Sequence, residues 1–277
     1  MTFVNDRNFS ALEYFTADNI HLPDVAAIFT TRNGGVSGNT PETEHLRSLD
    51  LALSSEGENY ENTVENYRII ASSHGFQVED VVGLQQVHGD IIINVGSGAI
   101  SDDSILGRNC KEADALVTNE KGILLSVRVA DCVPILLYDS KNEAVGAVHA
   151  GWQGTFLQIG TKVIRRMNEQ YGSEPTDIQV AIGPAIGMCC YEVDFYFYEQ
   201  FLGGYGEKIN EFFSFESGAK PHCDLKAMNK AFFIEAGIPE ANIDMSKSCT
   251  MCDPGLFYSH RRSGTKRGSM AAFIGMK

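Results

Sequence analysis

A chain of 277 residues with 43% hydrophobic and 21% charged residues has the balance of a soluble globular protein able to bury a core, and its length fits one large domain or two modest ones. A formal net charge of -14 repels phosphate backbones and anionic lipid, which sets aside nucleic-acid and membrane-surface partners but not a small anionic substrate in a local pocket. The opening MTFVNDRNFS lacks a basic start followed by an apolar run, and no segment is apolar enough to span a bilayer. The seven cysteines, an odd number, therefore read as reduced thiols of a cytoplasmic protein.

In chain order, residues 32 to 57 are rich in Gly, Ser, Thr, Asn and Glu and read as a long loop. Asn59 to His74 is predicted helical, with Val64, Tyr67, Ile70 and Ala71 at helical spacing and Gly75 as the stop. Ile91 to Val95 reads as a short strand. The β-rich runs Ile123 to Val129, Val133 to Tyr138 and Ala144 to His149 follow, separated by short turns, and are expected to pair as neighbours in one sheet. Gly151 to Tyr171 is predicted as one helix with Gly172 as its cap. Ile178 to Ile182 is a strand, Asp224 to Ala236 a helix capped by Asp224 with Gly237 beyond it, and Ser269 to Ile274 the last strand. Strands and helices do not alternate regularly, and no linker separates two cores. The expectation is one α+β domain over residues 1–277.

Three stretches carry candidate chemistry. QQVHG ends on His88 and Gly89, ADCVP holds Cys132, and VHAGW holds His149. Cys132 and His149 stand at the ends of β-rich runs, where rigid backbone gives way to a turn opening on a cleft. Two imidazoles and a thiolate suit zinc, and three protein ligands leave a fourth position open, as in catalytic zinc sites. Asp90 and Asp131 neighbour these ligands and are candidates for orienting an imidazole. The three are far apart along the chain, so spacing alone equally fits a buried core thiol and two satisfied histidines.

The strings QQVHG, ADALVT, ADCVPILLYD, VHAGWQGT, IGPAIG with CCYEV, and CT with LFYSHRR occur in that order, preceded by TTRNGGVS. Together they resemble the YfiH-type, laccase-domain family across nearly the whole chain. That resemblance implies a four-layer α/β/β/α sandwich with mixed β-sheets, and metal ligation by His88, Cys132 and His149. The implied activities are purine nucleoside phosphorolysis and adenosine deamination, with a copper polyphenol oxidase and a peptidoglycan-editing amidohydrolase also described. The chain departs from the family pattern at Gln153, where Arg usually follows the HAGW tryptophan, at Asp50, and at Arg267-Gly268.

Phosphorolysis needs pockets for a nucleoside and for orthophosphate. Candidates for substrate contact are Arg32 with Gly34 and Gly35, the helix start after His149 with Gln153, and Arg261 or Arg262. Deamination fits a zinc-activated water, although the His-x-Glu and Pro-Cys-x-x-Cys pattern of cytidine-deaminase-type sites is absent. Copper remains an alternative metal, but seven histidines are too few for a blue-copper site plus a trinuclear cluster. A metal-free hydrolase with Cys132 as nucleophile and His149 as base is the sharper rival, and a binding module with a vestigial site the non-enzymatic one. His222, Cys223, Cys249 and Cys252 are read as packing residues, and Cys189 and Cys190 as core.

Overall fold

The computed structural model describes residues 1–8, 11–38, 46, 48–53, 58–96 and 112–277. The first elements are β1 (Thr2–Asp6), β2 (Leu12–Thr16), β3 (Val25–Thr30), α1 (Glu58–Ser73), β4 (Val81–Val82), β5 (Ile92–Asn94) and β6 (Ala115–Thr118). Next come β7 (Ile123–Val129), β8 (Val133–Asp139), β9 (Ala144–Ala150), α2 (Trp152–Phe156), α3 (Ile159–Tyr171) and β10 (Ile178–Ile182). The chain continues through α4 (Phe195–Tyr205), β11 (Phe213–Ser214), β12 (His222–Cys223), α5 (Leu225–Glu235), β13 (Ile243–Met245), α6 (His260–Ser263) and β14 (Met270–Met276). The sequence-predicted long loop, His45 and Cys110 fall partly or wholly outside the described residues.

Two six-stranded sheets carry the fold, in the orders β1-β2-β3-β14-β7-β4 and β13-β10-β8-β9-β6-β5. Both are mixed: β4–β7, β5–β6 and β10–β13 run parallel and the other pairs antiparallel. Strand alternation builds the layers, because successive side chains point to opposite faces. On β14, Ala272, Ile274 and Met276 face the second sheet, packing with Leu136, Val145 and Ala147, whereas Ala271 and Phe273 face Tyr67 and Ile70 of α1. On β9, Val148 and Ala150 turn instead toward Val163 and Met167 of α3 and Phe232 of α5. The result is the four-layer α/β/β/α sandwich with mixed sheets that the family resemblance implies, and it agrees with the α+β class read from the element pattern.

Two local expectations are corrected. β7 does not join β8 and β9 in one sheet. The chain leaves the first sheet at Val129 and enters the second at Val133, turning through Asp131 in a left-handed backbone conformation (φ 93°). All three runs are buried on both faces, and such strands carry no alternation that would tell one sheet from the other. The helix after Gly151 is broken, with α2 ending before a left-handed Gln158 (φ 54°) and α3 restarting beyond it. Neither Gly nor Pro marks that break, and the apolar spacing runs through it. By contrast, the cap at Asp224 forms as expected, its carboxylate accepting from the Ala227 N–H at 3.0 Å, and Gly237 adopts positive φ.

The sheets meet closely where Phe29 of β3, 2% exposed, lies over Gly183. An added Cβ there stands 2.2 Å from the phenyl ring. Phe29→Ala is expected to destabilise the fold by roughly 3–5 kcal/mol through the cavity left between sheets. Urea unfolding should show a lower midpoint at unchanged slope.

Candidate metal centre and its cleft

Strand register brings the chemistry together. β8 and β9 pair with Pro134 opposite His149 and Val133 opposite Ala150, so Cys132 at the head of β8 faces the end of β9. β6 pairs with β9, Ala115 opposite Val148, and the His149 N–H bonds the Asp114 carbonyl at 2.8 Å. β5 pairs in parallel with β6, Ile92 opposite Ala115, which carries the preceding His88–Asp90 turn onto the same end of the sheet. His88 sits there with positive φ (62°), a strained conformation for a non-glycine residue and one that often marks a functional site.

The ligating atoms of His88, Cys132 and His149 all lie within 4.8 Å of one another, and the imidazole centroids are 4.8 Å apart with the rings nearly perpendicular. Tetrahedral coordination with metal–nitrogen bonds of about 2.0 Å and metal–sulfur bonds of about 2.3 Å asks for ligand–ligand separations of roughly 3.3–3.5 Å, so the set fits an ion with side-chain adjustments. Gly151 leaves the space open: a Cβ there would stand 3.0 Å from the His88 ring, 3.5 Å from the Cys132 sulfur and 3.8 Å from the His149 ring. His149 is buried, Cys132 partly buried and His88 exposed, so the centre opens on the His88 side.

Asp114 orients this centre. Its fully buried carboxylate accepts from His149 Nδ1–H at 2.8 Å and from the backbone N–H groups of Val87 (3.4 Å), His88 (3.0 Å) and Gly89 (2.6 Å). The Nδ1 bond leaves His149 Nε2 for Cys132 and a metal. Burial pushes the Asp114 carboxyl up, but the His149 bond and the Gly89 and His88 N–H groups outweigh it and hold it below the usual carboxylate range. Burial likewise opposes ionisation of Cys132, yet the His149 charge and bonds from both imidazoles hold its thiol below the ordinary thiol range. The same pairing, with Asp114 behind it, raises His149 against its own burial.

Asp90 and Asp131, the candidates for the orienting role in the sequence, serve other contacts in the structure. Asp90 forms an ion pair with Lys162. Asp131 ties the cleft wall together, accepting from Thr250 Oγ1 (2.6 Å), Ser259 Oγ (3.0 Å) and the Arg261 N–H (2.6 Å). Asp114 was missed although its signal was present. An acid flanked by Ala113 and Ala115 at the head of an apolar strand must find partners inside the fold.

A cleft of about 460 Å³ adjoins the centre, lined by His88 and Cys132 together with Trp152, Tyr191, Arg261 and Arg267. The Arg261 guanidinium lies 5.1 Å from the Tyr191 ring centroid and donates to the Glu192 carbonyl at 2.8 Å. Arg267 donates to Ser269 Oγ at 3.0 Å and contacts His260. Arg261 is thus the one predicted substrate contact among the cleft residues. The others lie apart. Arg32 stacks over Tyr258 at 4.6 Å and donates to the Pro254 carbonyl. The N–H groups of Gly34 and Gly35 both donate to Ser48 Oγ, so they serve loop packing rather than an anion cradle, and a Cβ at either glycine would clash at 2.4 Å with Leu12 or Asn66. Gln153 is exposed on the five-residue α2 and does not line the cleft. Arg262 instead braces its own loop, donating to the carbonyls of Thr250, Met251 and Phe257.

The cysteine reading is also corrected. Cys223 is buried packing as expected, but Cys189 and Cys252 are exposed, and their sulfurs cluster with those of Cys190 and Cys249. Parallel pairing of β10 with β13 sends both following loops to one end of the sheet, a long-range adjacency that sequence spacing does not encode.

The family description "Multi-copper polyphenol oxidoreductase laccase" matches residues 26–277. Purine nucleoside phosphorylase YlmD of Bacillus subtilis is 35% identical over 264 residues, covering 94% of this chain and 91% of that protein. Adenosine deaminase RL5, from an unknown prokaryotic organism, is 34% identical over 206 residues, 72% of this chain and 76% of that protein. The crystal structure of Bacillus licheniformis hypothetical protein YfiH superposes with a TM-score of 0.87 at 33% identity, covering 99% of each chain.

Asp114→Asn keeps the shape of the side chain but loses the charge that holds His149. Metal affinity measured by competition with a chromogenic chelator is expected to fall about 10–100-fold, with the far-ultraviolet spectrum unchanged. Unchanged affinity would show that Asp114 supports the backbone alone.

Proposed function

The chain belongs to the multi-copper polyphenol oxidoreductase laccase family, and from that premise we propose that it is a zinc-dependent purine nucleoside phosphorylase acting on adenosine, inosine and related nucleosides. Adenosine deamination is proposed as a second activity. The observation that carries this reading is the opening of a two-histidine, one-cysteine centre into a cleft with aromatic faces and two arginines. The names of relatives with 35% and 34% identity, a purine nucleoside phosphorylase and an adenosine deaminase, point the same way.

Two imidazoles and a thiolate suit zinc; His88, Cys132 and His149 would hold it, and it would supply Lewis acidity beside the cleft. The remaining work belongs to the chain. Trp152 and Tyr191 offer ring faces to a purine, and burial keeps the Tyr191 hydroxyl protonated. Arg261, fixed by its stack on Tyr191, and Arg267 give the cleft positive charge for orthophosphate within a molecule of net charge -14. In phosphorolysis a phosphate oxygen bonds to C1′ of the ribose while the bond to the purine nitrogen breaks and its electron pair departs with the base. Holding the anion and the sugar in line lowers that barrier by proximity.

Multicopper oxidase chemistry fits less well. Among the described residues the other cluster of candidate ligands consists of cysteines alone, so no trinuclear imidazole site accompanies the centre. A second reading has a specific observation behind it. Asp114, His149 and Cys132 form an acid–imidazole–thiol series of the kind that activates a cysteine nucleophile. In that reading the protein is a metal-free hydrolase, a cell-wall amide being one candidate substrate.

Phosphate-dependent release of hypoxanthine from inosine and adenine from adenosine tests the proposal. Cys132→Ala should lower kcat/KM by roughly 10³-fold or more, and Arg261→Ala should raise the phosphate KM by about tenfold with a smaller effect on kcat. No turnover of nucleosides by zinc-loaded protein sinks the phosphorylase reading, and chelator-resistant amide hydrolysis by metal-depleted protein establishes the rival.

Metal binding also has a signed pH dependence. Zinc needs neutral His149, whose folded pKa is raised by its partners, so binding displaces a proton below that value. Apparent zinc affinity should therefore fall by up to about tenfold per pH unit as pH drops below the raised pKa, as read by calorimetry in buffers of different ionisation enthalpy.

A further inference from the structure

We propose that Cys189, Cys190, Cys249 and Cys252 form a second metal site, a four-thiolate structural site for zinc that locks one wall of the cleft. All four sulfurs lie within 4.8 Å of one another, with Cys189–Cys252 at 3.6 Å and Cys190–Cys252 at 3.4 Å. Zinc–sulfur bonds of about 2.3 Å in a tetrahedron require sulfur–sulfur edges of roughly 3.8 Å, so the cluster already has nearly the right size.

The backbone is arranged for such a site. A turn closed by the Cys190 N–H on the Gly187 carbonyl (3.0 Å) lets two adjacent cysteines converge rather than point apart. The opposite pair comes from a Cys-x-x-Cys loop docked on the first through the Ala185–Cys249 bridge and the Thr250 N–H to the Ala185 carbonyl (3.1 Å). Backbone N–H groups of Gly187 (3.2 Å), Cys252 and Met251 donate to the Cys249 sulfur, which favours a thiolate there. Lys226, buried and held by the carbonyls of Ser246 and Ser248, sets its positive charge against Cys249 and Cys189. Gly187 has no side chain to intrude: a Cβ would meet Cys189 Sγ and Cys249 Cβ at 3.4 Å. Binding transfers the thiol protons to solvent and forms four metal–sulfur bonds without any redox step.

The position gives the site a use. Ile186 and Tyr191 flank the first pair and line the cleft. Thr250, inside the second, bonds Asp131 beside the ligand Cys132. A metal joining the two loops ties the substrate wall to the backbone that presents Cys132, while the solvent-exposed Cys189 and Cys252 give it access.

Elemental analysis of the full chain, purified under reducing conditions without added chelator, is expected to give two zinc ions per chain. Cys132→Ala/His149→Ala should retain one, and Cys249→Ser/Cys252→Ser should retain one. Cobalt(II) alone, titrated into metal-depleted wild type, gives a readout that needs no variant to fold: thiolate-to-cobalt charge-transfer intensity corresponding to five sulfur ligands across two tetrahedral sites. A single zinc that disappears with Cys132→Ala/His149→Ala, or cobalt spectra with one thiolate ligand only, overturns the proposal. So does a mass deficit showing disulfides among these four cysteines in freshly reduced and desalted protein.

Discussion

Four donors from two separate segments converge on the buried Asp114 carboxylate: the His149 imidazole and the backbone N–H groups of Val87, His88 and Gly89. A carboxylate removed from water is costly unless its oxygens are satisfied, so this group fixes its surroundings as firmly as they fix it. It sets which nitrogen of His149 faces Cys132, and it pins the turn that presents His88. The charge of His149 then draws Cys132 toward its thiolate. The ligand geometry, the polarised pair and the mouth of the cleft all follow from one ionised group at the head of a central strand.

The sandwich makes that arrangement rigid. Strands β6, β8 and β9 are buried throughout, and the ligands sit where their hydrogen-bonded register ends. Other cleft-lining groups come instead from α2 (Trp152), the loop after β10 (Ile186 and Tyr191), and the segment in and after α6 (His260, Arg261 and Arg267), a division between a rigid strand-end centre and separate walls that suits a family with several named activities. The acidic surface and the arginine-bearing cleft are compatible because local charge governs a short-range contact, whereas the net charge acts mainly on large polyanions.

Much of this was legible from sequence where the signal was local. The strands Ile123–Val129 and Ile178–Ile182 match the predicted runs, and the Asp224 cap and Gly237 terminate α5 as their chemistry requires. His88, Cys132 and His149 were singled out from turn and strand-end context together with a family resemblance, and their side chains do meet. What stayed hidden was long-range. The division of β7 from β8 and β9 between sheets leaves no trace in runs that are apolar on both faces. The roles of Asp90, Asp114 and Asp131 depend on partners up to 130 residues away. The cysteine cluster exists because two parallel strands release their loops side by side. The glycine pair after Arg32 looked like a phosphate cradle because small residues serve close packing and ligand approach equally well, and only their neighbours distinguish the two uses.

The most direct measurement is an anomalous difference map at the zinc edge from crystals grown with a purine nucleoside and orthophosphate. The expected map has a peak about 2.0–2.3 Å from nitrogen of His88 and His149 and from the Cys132 sulfur, with the purine against Trp152 or Tyr191 and the phosphate on Arg261. A zinc-bearing crystal without a peak among those three residues, or a nucleoside seated away from them, contradicts the assignment of this cleft as the active site.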